Sequence, residues 1–325
     1  MWSRSPAWPR PTTDRPLRVT GMSPVSVVAP AKLNLTLAVG GPRPDGYHDV
    51  ASIYHAVSLF DEIVASPGKG LQVTVEGATG IDVDGVPLDD TNLAAQAALL
   101  LAEQTGQPAD VHLHIRKGIP VAGGLAGGSA DAAGALLACD ALWGTGLARS
   151  DLMSLAAHLG SDVPFAVMGG TALGVGRGEH LTPALARGRF EWVFAVADSG
   201  LSTPQVYAEC DRLRNGRVLP EPRVSDAMMT ALRSGDAVAL GQALQNDLQP
   251  AACSLRPNLL QTMEVGDDAE ALGTLVSGSG PTVAFLARDA EHALDIAVSL
   301  SASGTCKTVK RAHGAVAGAR VAGAR

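Results

Sequence analysis

A glycine-rich segment in the first half of the chain has the residue types needed to hold phosphate. Residues 120–129 contain four glycines within six positions and run into an alanine- and leucine-rich stretch that predicts a helix from Ser129 to about Leu142. Glycine permits positive φ angles and lets the backbone approach a ligand closely. Unpaired N–H groups at the start of a helix, together with the helix dipole, bind anions. Phosphate contacts are therefore expected at Pro120, Gly123, Gly124, Leu125, Ala126, Gly127, Gly128 and Ser129.

This segment is not specific by itself, because glycine-rich stretches also serve as flexible connectors. Two common phosphate motifs are absent. The pattern GxxxxGK[ST] does not occur, and GxGxxG fails because residue 125 is leucine. The prediction that this segment binds phosphate therefore depends on other residues of the chain.

Asp162 is a candidate general base. It follows Gly160 and Ser161 and precedes Val163 and Pro164. An aspartate can accept the proton of a hydroxyl group during phosphoryl transfer. Aspartate before a proline at the first helical position is also a favoured helix N-cap. Both roles remain open, because capping does not use every lone pair of a carboxylate.

Lys32 and Asn34 lie at the start of a predicted strand, Leu33 to Val39, in which apolar and polar residues alternate. A lysine there can pair with Asp162, keep it ionised and lower the pKa of an attacking hydroxyl. Asn34 lies two residues on and faces the same side of the strand, where it can hydrogen-bond a substrate. The alternatives are an exposed lysine at a strand end and a solvated asparagine.

Composition excludes several functional classes. The chain has 325 residues, a net charge of -7 and 46% hydrophobic residues. An acidic chain lacks the clustered Lys and Arg of a nucleic-acid surface, and no apolar run reaches the ~18 residues of a membrane span. The cysteines form no CxxC pair, which argues against a zinc site or a redox dithiol and fits a reducing cytoplasm; they are Cys139, Cys210, Cys253 and Cys306.

The order of predicted elements indicates an α+β fold. Strands and helices are mixed without strict βαβ alternation. Residues 1–22 hold four Arg and four Pro without an apolar core, which predicts a disordered extension rather than a signal peptide. The Gly-, Ala-, Val- and Arg-rich residues 314–325 predict a flexible tail. Between them we expect an N-terminal domain over 23–180 and a C-terminal domain over 181–313.

Three blocks in order along the chain resemble the motifs of the GHMP kinase superfamily, which includes galactokinase and the homoserine and mevalonate kinases. They are residues 30–35, the loop at 120–129 and residues 276–282. The resemblance covers about 25–310. It implies an N-terminal ATP-binding domain of S5-like α/β type and a ferredoxin-like C-terminal α+β domain, with the active site in the cleft between them.

The same resemblance implies ATP and Mg²⁺ as cofactors and assigns roles to individual residues. Asp162 becomes the catalytic aspartate and Lys32 its partner. The third motif, residues 276–282, is a second glycine-rich loop, called here the third glycine loop, and it contributes Gly278, Ser279 and Gly280 to ATP binding. Asn92 matches a position near adenine. Ser129 is a possible Mg²⁺ ligand, and no acidic ligand is marked.

Three further blocks resemble the branch of this superfamily that acts on a cytidine-diphosphate methylerythritol. They are residues 45–48, 160–164 and 202–207. They imply that Tyr47 and Tyr207 enclose cytosine, that His48 bonds its polar edge and that Asn34 bonds the erythritol. The implied reaction is phosphorylation of the 2-hydroxyl by ATP in non-mevalonate isoprenoid synthesis, in the cytoplasm, by a monomer or homodimer without nucleic-acid or membrane partners.

Other functions fit part of this pattern. A mevalonate- or homoserine-type kinase has a substrate without a base, which leaves residues 45–48 unexplained. A diphosphomevalonate decarboxylase releases CO₂. A catalytically silent ligand-binding relative has no need to keep both Lys32 and Asp162.

Overall fold

A mixed sheet with helices packed on it forms the scaffold of the computed structural model, which describes residues 23–217 and 219–323. The strands of this part of the chain are β1 (Val25–Pro42), β2 (His48–Pro67), β3 (Leu71–Gly77), β4 (Val111–Lys117), β5 (Thr171–Gly176), β6 (His180–Pro183), β7 (Phe190–Val196), β8 (Gln245–Asn246), β9 (Gly273–Val276), β10 (Val283–Ala287), β11 (Thr308–Gly314) and β12 (Arg320–Val321). The helices are α1 (Leu93–Thr105), α2 (Gly127–Trp143), α3 (Arg149–Leu159), α4 (Val163–Met168), α5 (Thr203–Arg214), α6 (Asp226–Ser234), α7 (Ala237–Ala243), α8 (Gln249–Leu255), α9 (Asn258–Asp268) and α10 (Ala290–Ser303). This order confirms the predicted α+β class.

Strands β1 and β2 form a long antiparallel pair that carries the N-terminal half. Both strands are buried without interruption in their centres, over residues 29–40 of β1 and 50–57 of β2, so both faces of the pair are covered there. The ladder shifts register between Pro30 and Ala31 and again between Asn34 and Thr36. Such irregularities bend a strand and redirect its side chains. Lys32 and Asn34 lie between these two shifts.

Helix α2 packs across β1 and β2 through small side chains. Alanines dominate its buried face, so the helix backbone lies close to the sheet. At Gly134 an added Cβ would lie 2.4 Å from the side chain of Ile63, so only glycine fits there. This packing fixes where α2 begins, and therefore where the glycine-rich loop ends.

The C-terminal half extends the same sheet. The order β12-β1-β2-β11-β7-β10-β9 places β11 between strands of the two halves. Strand β11 pairs with β7 along its length and reaches β2 through Gly314 opposite Val57. The apolar faces of α9 and α10 pack against β7, β9 and β10. The two halves therefore share one continuous hydrogen-bonded sheet.

The predicted flexible tail was wrong for residues 314–323. Strand β12 pairs with β1, and Ala317 bridges Gly169. Ala319 is fully buried, and its N–H donates to Ala166. Backbone hydrogen bonds and the burial of Ala319 hold this segment in a defined conformation, although its composition is simple. The extension at 1–22 and residues 324–325 lie outside the described residues.

The predicted domain boundary at 180/181 falls at the start of β6. This strand is hydrogen-bonded to β5 in the N-terminal half. A division in the connection 184–189 keeps that pair intact, and we draw the boundary there. Helix α1 is capped by the side chain of Asn92, which accepts a hydrogen bond from the N–H of Ala94.

Candidate active site

A cleft of about 890 Å³ opens between the two halves of the described chain. It brings together most of the residues predicted from sequence, which are Lys32, Asn34, Tyr47, His48, Asn92, Pro120, Gly123, Gly124, Ala126, Gly127, Gly128, Ser129, Asp162, Tyr207, Gly278 and Ser279. Leu125 and Gly280 do not line it. The Leu125 side chain is buried, and its carbonyl accepts a hydrogen bond from the N–H of Lys32. Gly280 closes the third glycine loop by donating its N–H to Ser277.

The glycine-rich loop reaches the start of α2 through left-handed backbone conformations. Ala122 and Ala126 have φ of 54° and 58°, and Gly124 has φ of 76°. Ala126 precedes α2, and no side chain caps the helix. The first N–H groups of α2 therefore have no capping side chain and lie beside the cleft, which is the arrangement that binds phosphate.

The loop at 120–129 rests directly on the third glycine loop. The Ser277 hydroxyl donates to the Gly124 carbonyl at 3.0 Å. A Cβ on Gly124 would lie 2.4 Å from the Ser277 carbonyl oxygen. Asn246 holds the other side of this contact, because its amide donates to the carbonyls of Val276 and Gly278, both at 2.7 Å. The C-terminal half thus supports the phosphate loop from behind.

Lys32 and Asp162 form an ion pair in the cleft. The Lys32 Nζ lies 3.4 Å from Asp162 Oδ2, and their side chains are 10% and 28% exposed. Asp162 directly precedes α4, yet its carboxylate makes no capping hydrogen bond. The N-cap alternative is therefore not observed, and the carboxylate faces the cleft beside Lys32.

Asn34 holds Lys32 in place. Its Oδ1 accepts from Lys32 Nζ at 2.6 Å, and its Nδ2 donates to Ser52 Oγ at 2.7 Å. Ser52 in turn donates to the carbonyl of Thr36. The amide of Asn34 is thus used within the protein, which gives this residue a positioning role in addition to the predicted substrate contact.

Tyr54 was missed by sequence reasoning and lies at the centre of this cluster. Its ring stacks on Phe165 at 5.1 Å, and Lys32 Nζ lies 5.6 Å from its centroid. Burial, followed by the charge of Asp162, raises the pKa of Tyr54 well above its ordinary value. Tyr54 lies opposite Asn34 in the β1–β2 ladder, which places it in the site. This pairing could not be predicted from the sequence, because the register of the two strands shifts on either side of it.

A second group of side chains occupies the far end of the cleft. Tyr47 is 54% exposed, and the guanidinium of Arg177 lies 5.0 Å from its ring. The rings of His48 and Tyr207 are 4.9 Å apart. Burial raises the pKa of Tyr207 to about 12, so its phenol is protonated at neutral pH. Aromatic faces and a cation at one end of the cleft suit a base and its phosphates.

Asp211 contacts this group and was also missed. Its carboxylate oxygens lie 3.0 and 3.1 Å from Nε2 of His48. It follows Tyr207 by four residues on α5, so the two share one helix face. The four-residue spacing between Tyr207 and Asp211, taken with a predicted helix, would have indicated that Asp211 lies near the site.

Under the glycine-rich loop lies a buried charge cluster of Lys117, Asp61 and Asp131. Lys117 donates to Asp131 at 2.6 Å and also to Asp61. Burial opposes the charge of Lys117, but the two carboxylates outweigh it and raise its pKa. Burial raises the pKa of Asp131 to about 8 in spite of Lys117. Lys117 therefore places one positive charge between two buried carboxylates.

Residues for a metal and for adenine are sparse. No group of three or more His, Cys, Asp and Glu side chains suited to a metal occurs in the part of the chain that the structure describes. Ser129 lines the cleft and offers a hydroxyl oxygen, which fits Mg²⁺ because this ion binds few protein ligands beside phosphates and water. The Asn92 side chain lines the cleft, where its oxygen caps α1 and its amide nitrogen donates one hydrogen bond to the carbonyl of Pro87.

No helix in residues 23–217 and 219–323 combines the length and apolar character of a membrane span.

The model for the GHMP kinases N terminal domain matches residues 92–170, and that for GHMP kinases C terminal matches residues 228–306. A relative from Streptomyces coelicolor named 4-diphosphocytidyl-2-C-methyl-D-erythritol kinase is 60% identical over 298 residues, covering 91% of this chain and 99% of its own length. A relative of the same name from Streptomyces avermitilis is 59% identical over 297 residues, with the same coverage.

Solved structures agree with this relationship. A crystal structure of 4-(cytidine 5'-diphospho)-2C-methyl-D-erythritol kinase has a TM-score of 0.71 and 34% identity, covering 89% of this chain and 98% of that one. The mevalonate kinase of L. major has a TM-score of 0.72 at 16% identity, covering 93% and 98%, which shows the shared fold. These matches confirm the two-domain fold expected from the three motifs, and the chain belongs to the GHMP kinase family.

Proposed function

We propose that this chain transfers the γ-phosphoryl group of ATP to the 2-hydroxyl of 4-diphosphocytidyl-2-C-methyl-D-erythritol, giving the 2-phosphate and ADP in non-mevalonate isoprenoid precursor synthesis. The observation that carries this proposal is the position of the Lys32–Asp162 pair. It lies in one cleft with the glycine-rich loop and with the aromatic group around Tyr47 and Tyr207. The name shared by the Streptomyces relatives supports the choice of substrate.

Each part of the cleft has a separate task in this reaction. The backbone N–H groups of 123–129 bind the phosphates of ATP, and the start of α2 adds its dipole. Ser129 would hold Mg²⁺ together with those phosphates, and the ion supplies neutralising charge. Arg177 faces the cleft beside Tyr47 and suits the diphosphate of the second substrate.

The chemical step occurs beside Asp162. The substrate hydroxyl gives its proton to the carboxylate while its oxygen forms a bond to the γ-phosphorus and the bond to the ADP oxygen breaks. The positive charge of Lys32 lies beside Asp162 and stabilises the negative charge that develops on the attacking oxygen. Asn34 fixes Lys32 at 2.6 Å, so the pair is arranged before substrate arrives. Positioning and charge neutralisation supply most of the rate.

Measurement of ADP release tests the function. Release is expected with the cytidine-diphosphate substrate and absent with mevalonate or homoserine, which lack a base for Tyr47 and Tyr207. Phosphorylation of a base-free alcohol at comparable kcat/KM would favour another kinase of the family. Release of CO₂ from diphosphomevalonate would favour the decarboxylase branch. Nucleotide binding without turnover on any of these would favour a silent relative.

The setting of the enzyme is part of the same proposal. The described cysteines form no disulfide, which supports a reducing cytoplasm. The protein acts on small molecules as a monomer or homodimer, without a nucleic-acid or membrane partner. Sedimentation equilibrium with and without ATP distinguishes the two states.

A further inference from the structure

We propose that Asp211 determines which pyrimidine the cleft accepts by fixing the position of the proton on His48. The proposal rests on the proposed function, because it concerns the base of the second substrate. Asp211 acts as a positioning residue: it touches His48, and His48 lies with Tyr47 and Tyr207 at the end of the cleft that suits a base.

The geometry assigns the shared proton to Nε2 of His48. Both oxygens of the Asp211 carboxylate lie within 3.1 Å of that nitrogen. An ionised carboxylate only accepts hydrogen bonds, so the nitrogen that faces it must carry hydrogen. The His48 side chain is 8% exposed, which keeps water from competing for this contact. In a neutral imidazole the other nitrogen, Nδ1, then has a lone pair and no hydrogen.

That lone pair can distinguish cytosine from uracil. Nδ1 of His48 has no hydrogen-bond partner among the described residues, and His48 lines the cleft. Cytosine offers an amino donor at position 4, whereas uracil has a carbonyl acceptor there. An acceptor on His48 therefore bonds the cytosine amino group and faces the uracil carbonyl with an opposing lone pair. Rejection arises because a buried acceptor left without a partner is costly.

Asp211 is free to do this because no cation in the described chain pairs with it apart from His48 itself. Arg214, one turn away on α5, instead pairs with Asp247 at 3.2 Å. Glu209 on the same helix pairs with Arg212 at 2.6 Å. Without the Asp211 carboxylate, His48 would adopt either neutral tautomer, and the form with hydrogen on Nδ1 would donate to the uracil carbonyl. The selectivity for cytosine therefore depends on a residue that does not touch the base.

Imidazole ¹⁵N NMR on the full chain tests the first step. The wild-type His48 signals, assigned by their loss in His48→Gln, are expected to show hydrogen on Nε2 and a bare Nδ1. Asp211→Asn and Asp211→Ala are expected to show a mixture of tautomers. A wild-type His48 with hydrogen on Nδ1, alone or on both nitrogens at neutral pH, overturns the proposal.

Calorimetric titration with CDP and UDP tests the second step, with a non-hydrolysable ATP analogue occupying the glycine-rich loop. Wild type is expected to bind CDP about tenfold or more tightly than UDP, and Asp211→Ala is expected to lose most of this ratio. Glu209→Gln is the matched control and should keep it. An unchanged ratio in both Asp211 variants, or a wild-type ratio near one, overturns the proposal. Because binding is measured without turnover, a CDP preference without ADP release refutes the kinase assignment alone.

Discussion

Lys32 Nζ lies 3.4 Å from Asp162 Oδ2, although the two residues are 130 positions apart and come from different elements of the N-terminal half. Lys32 is on β1, and Asp162 stands immediately before α4. Neither carboxylate oxygen of Asp162 makes a capping hydrogen bond to α4. A carboxylate in this position faces the cleft and has its partner cation beside it before any ligand binds.

Replacement of Asp162 by Asn should remove proton transfer while preserving shape. We expect turnover to fall by about 10²–10⁴-fold, because the amide cannot take the hydroxyl proton. Affinity for a non-hydrolysable ATP analogue should stay near the wild-type value, since the glycine-rich loop is untouched. ADP release and calorimetric titration measure the two quantities. Turnover within a few-fold of wild type would remove Asp162 from the role of base.

Gly124 and Gly144 provide a matched pair for the contact between the two glycine loops. Both have positive φ, of 76° and 65°, but a Cβ would meet the Ser277 carbonyl only at Gly124; nothing lies within 4 Å of Gly144. Gly144→Ala should cost roughly 1 kcal/mol of stability and leave nucleotide affinity unchanged. Gly124→Ala should also weaken binding of an ATP analogue by roughly tenfold or more, because displaced N–H groups lose phosphate. Equal affinities in the two variants would contradict this account of the loop.

Lys117 neutralises buried charge beneath the glycine-rich loop. Lys117→Met leaves Asp61 and Asp131 facing each other without a cation, so we expect a loss of about 3–5 kcal/mol in the free energy of unfolding. Lys307→Met is a suitable control, because Lys307 forms an exposed pair with Asp82 at 3.5 Å. Exposed pairs contribute about 1 kcal/mol or less. Urea titration measures both, and similar small losses would show that the buried cluster does not need its cation.

His55 should make stability fall in mild acid. Burial lowers its pKa from 6.5 to about 4. Between these values the unfolded chain binds a proton that the folded protein does not. The free energy of unfolding should therefore be unaffected by His55 above pH 6.5 and decrease as the pH falls towards 4, by about 3 kcal/mol in total. His55→Gln should flatten this part of the profile, and the exposed His158→Gln should not. A profile unchanged by His55→Gln would show that His55 is not the group responsible.

The sequence predicted the parts of the site that depend on local chemistry. The loop at 120–129, the strand at Lys32 and the turn before Asp162 were each recognisable from residue type and spacing, and the cleft contains all three. The substrate contact expected of Asn34 stays a prediction, and the structure adds the hydrogen bonds of its amide to Lys32 and Ser52, which the sequence did not indicate. The side chain of Ser52 comes from a partner strand, and single-strand periodicity carries no information about that partner.

The missed residues share one physical cause. Tyr54, Asp211 and Lys117 become part of the site only through contacts across strands or between halves of the chain. Strand register at β1 and β2 shifts at several places, which alternation alone does not reveal. The same limit explains the error at 314–323, where a simple composition hid a segment held by partners near residues 26–28 and 166–169.

The insertion of β11 between β2 and β7 has a consequence for how the protein matures. Its hydrogen bonds to both neighbours can form only after residue 308 has been synthesised. A nascent chain that stops earlier carries the whole glycine-rich sequence but has an unpaired strand edge where its two halves should join. A chain that ends before β11 therefore contains every residue that lines the cleft but lacks the strand that joins the sheet of one half to that of the other.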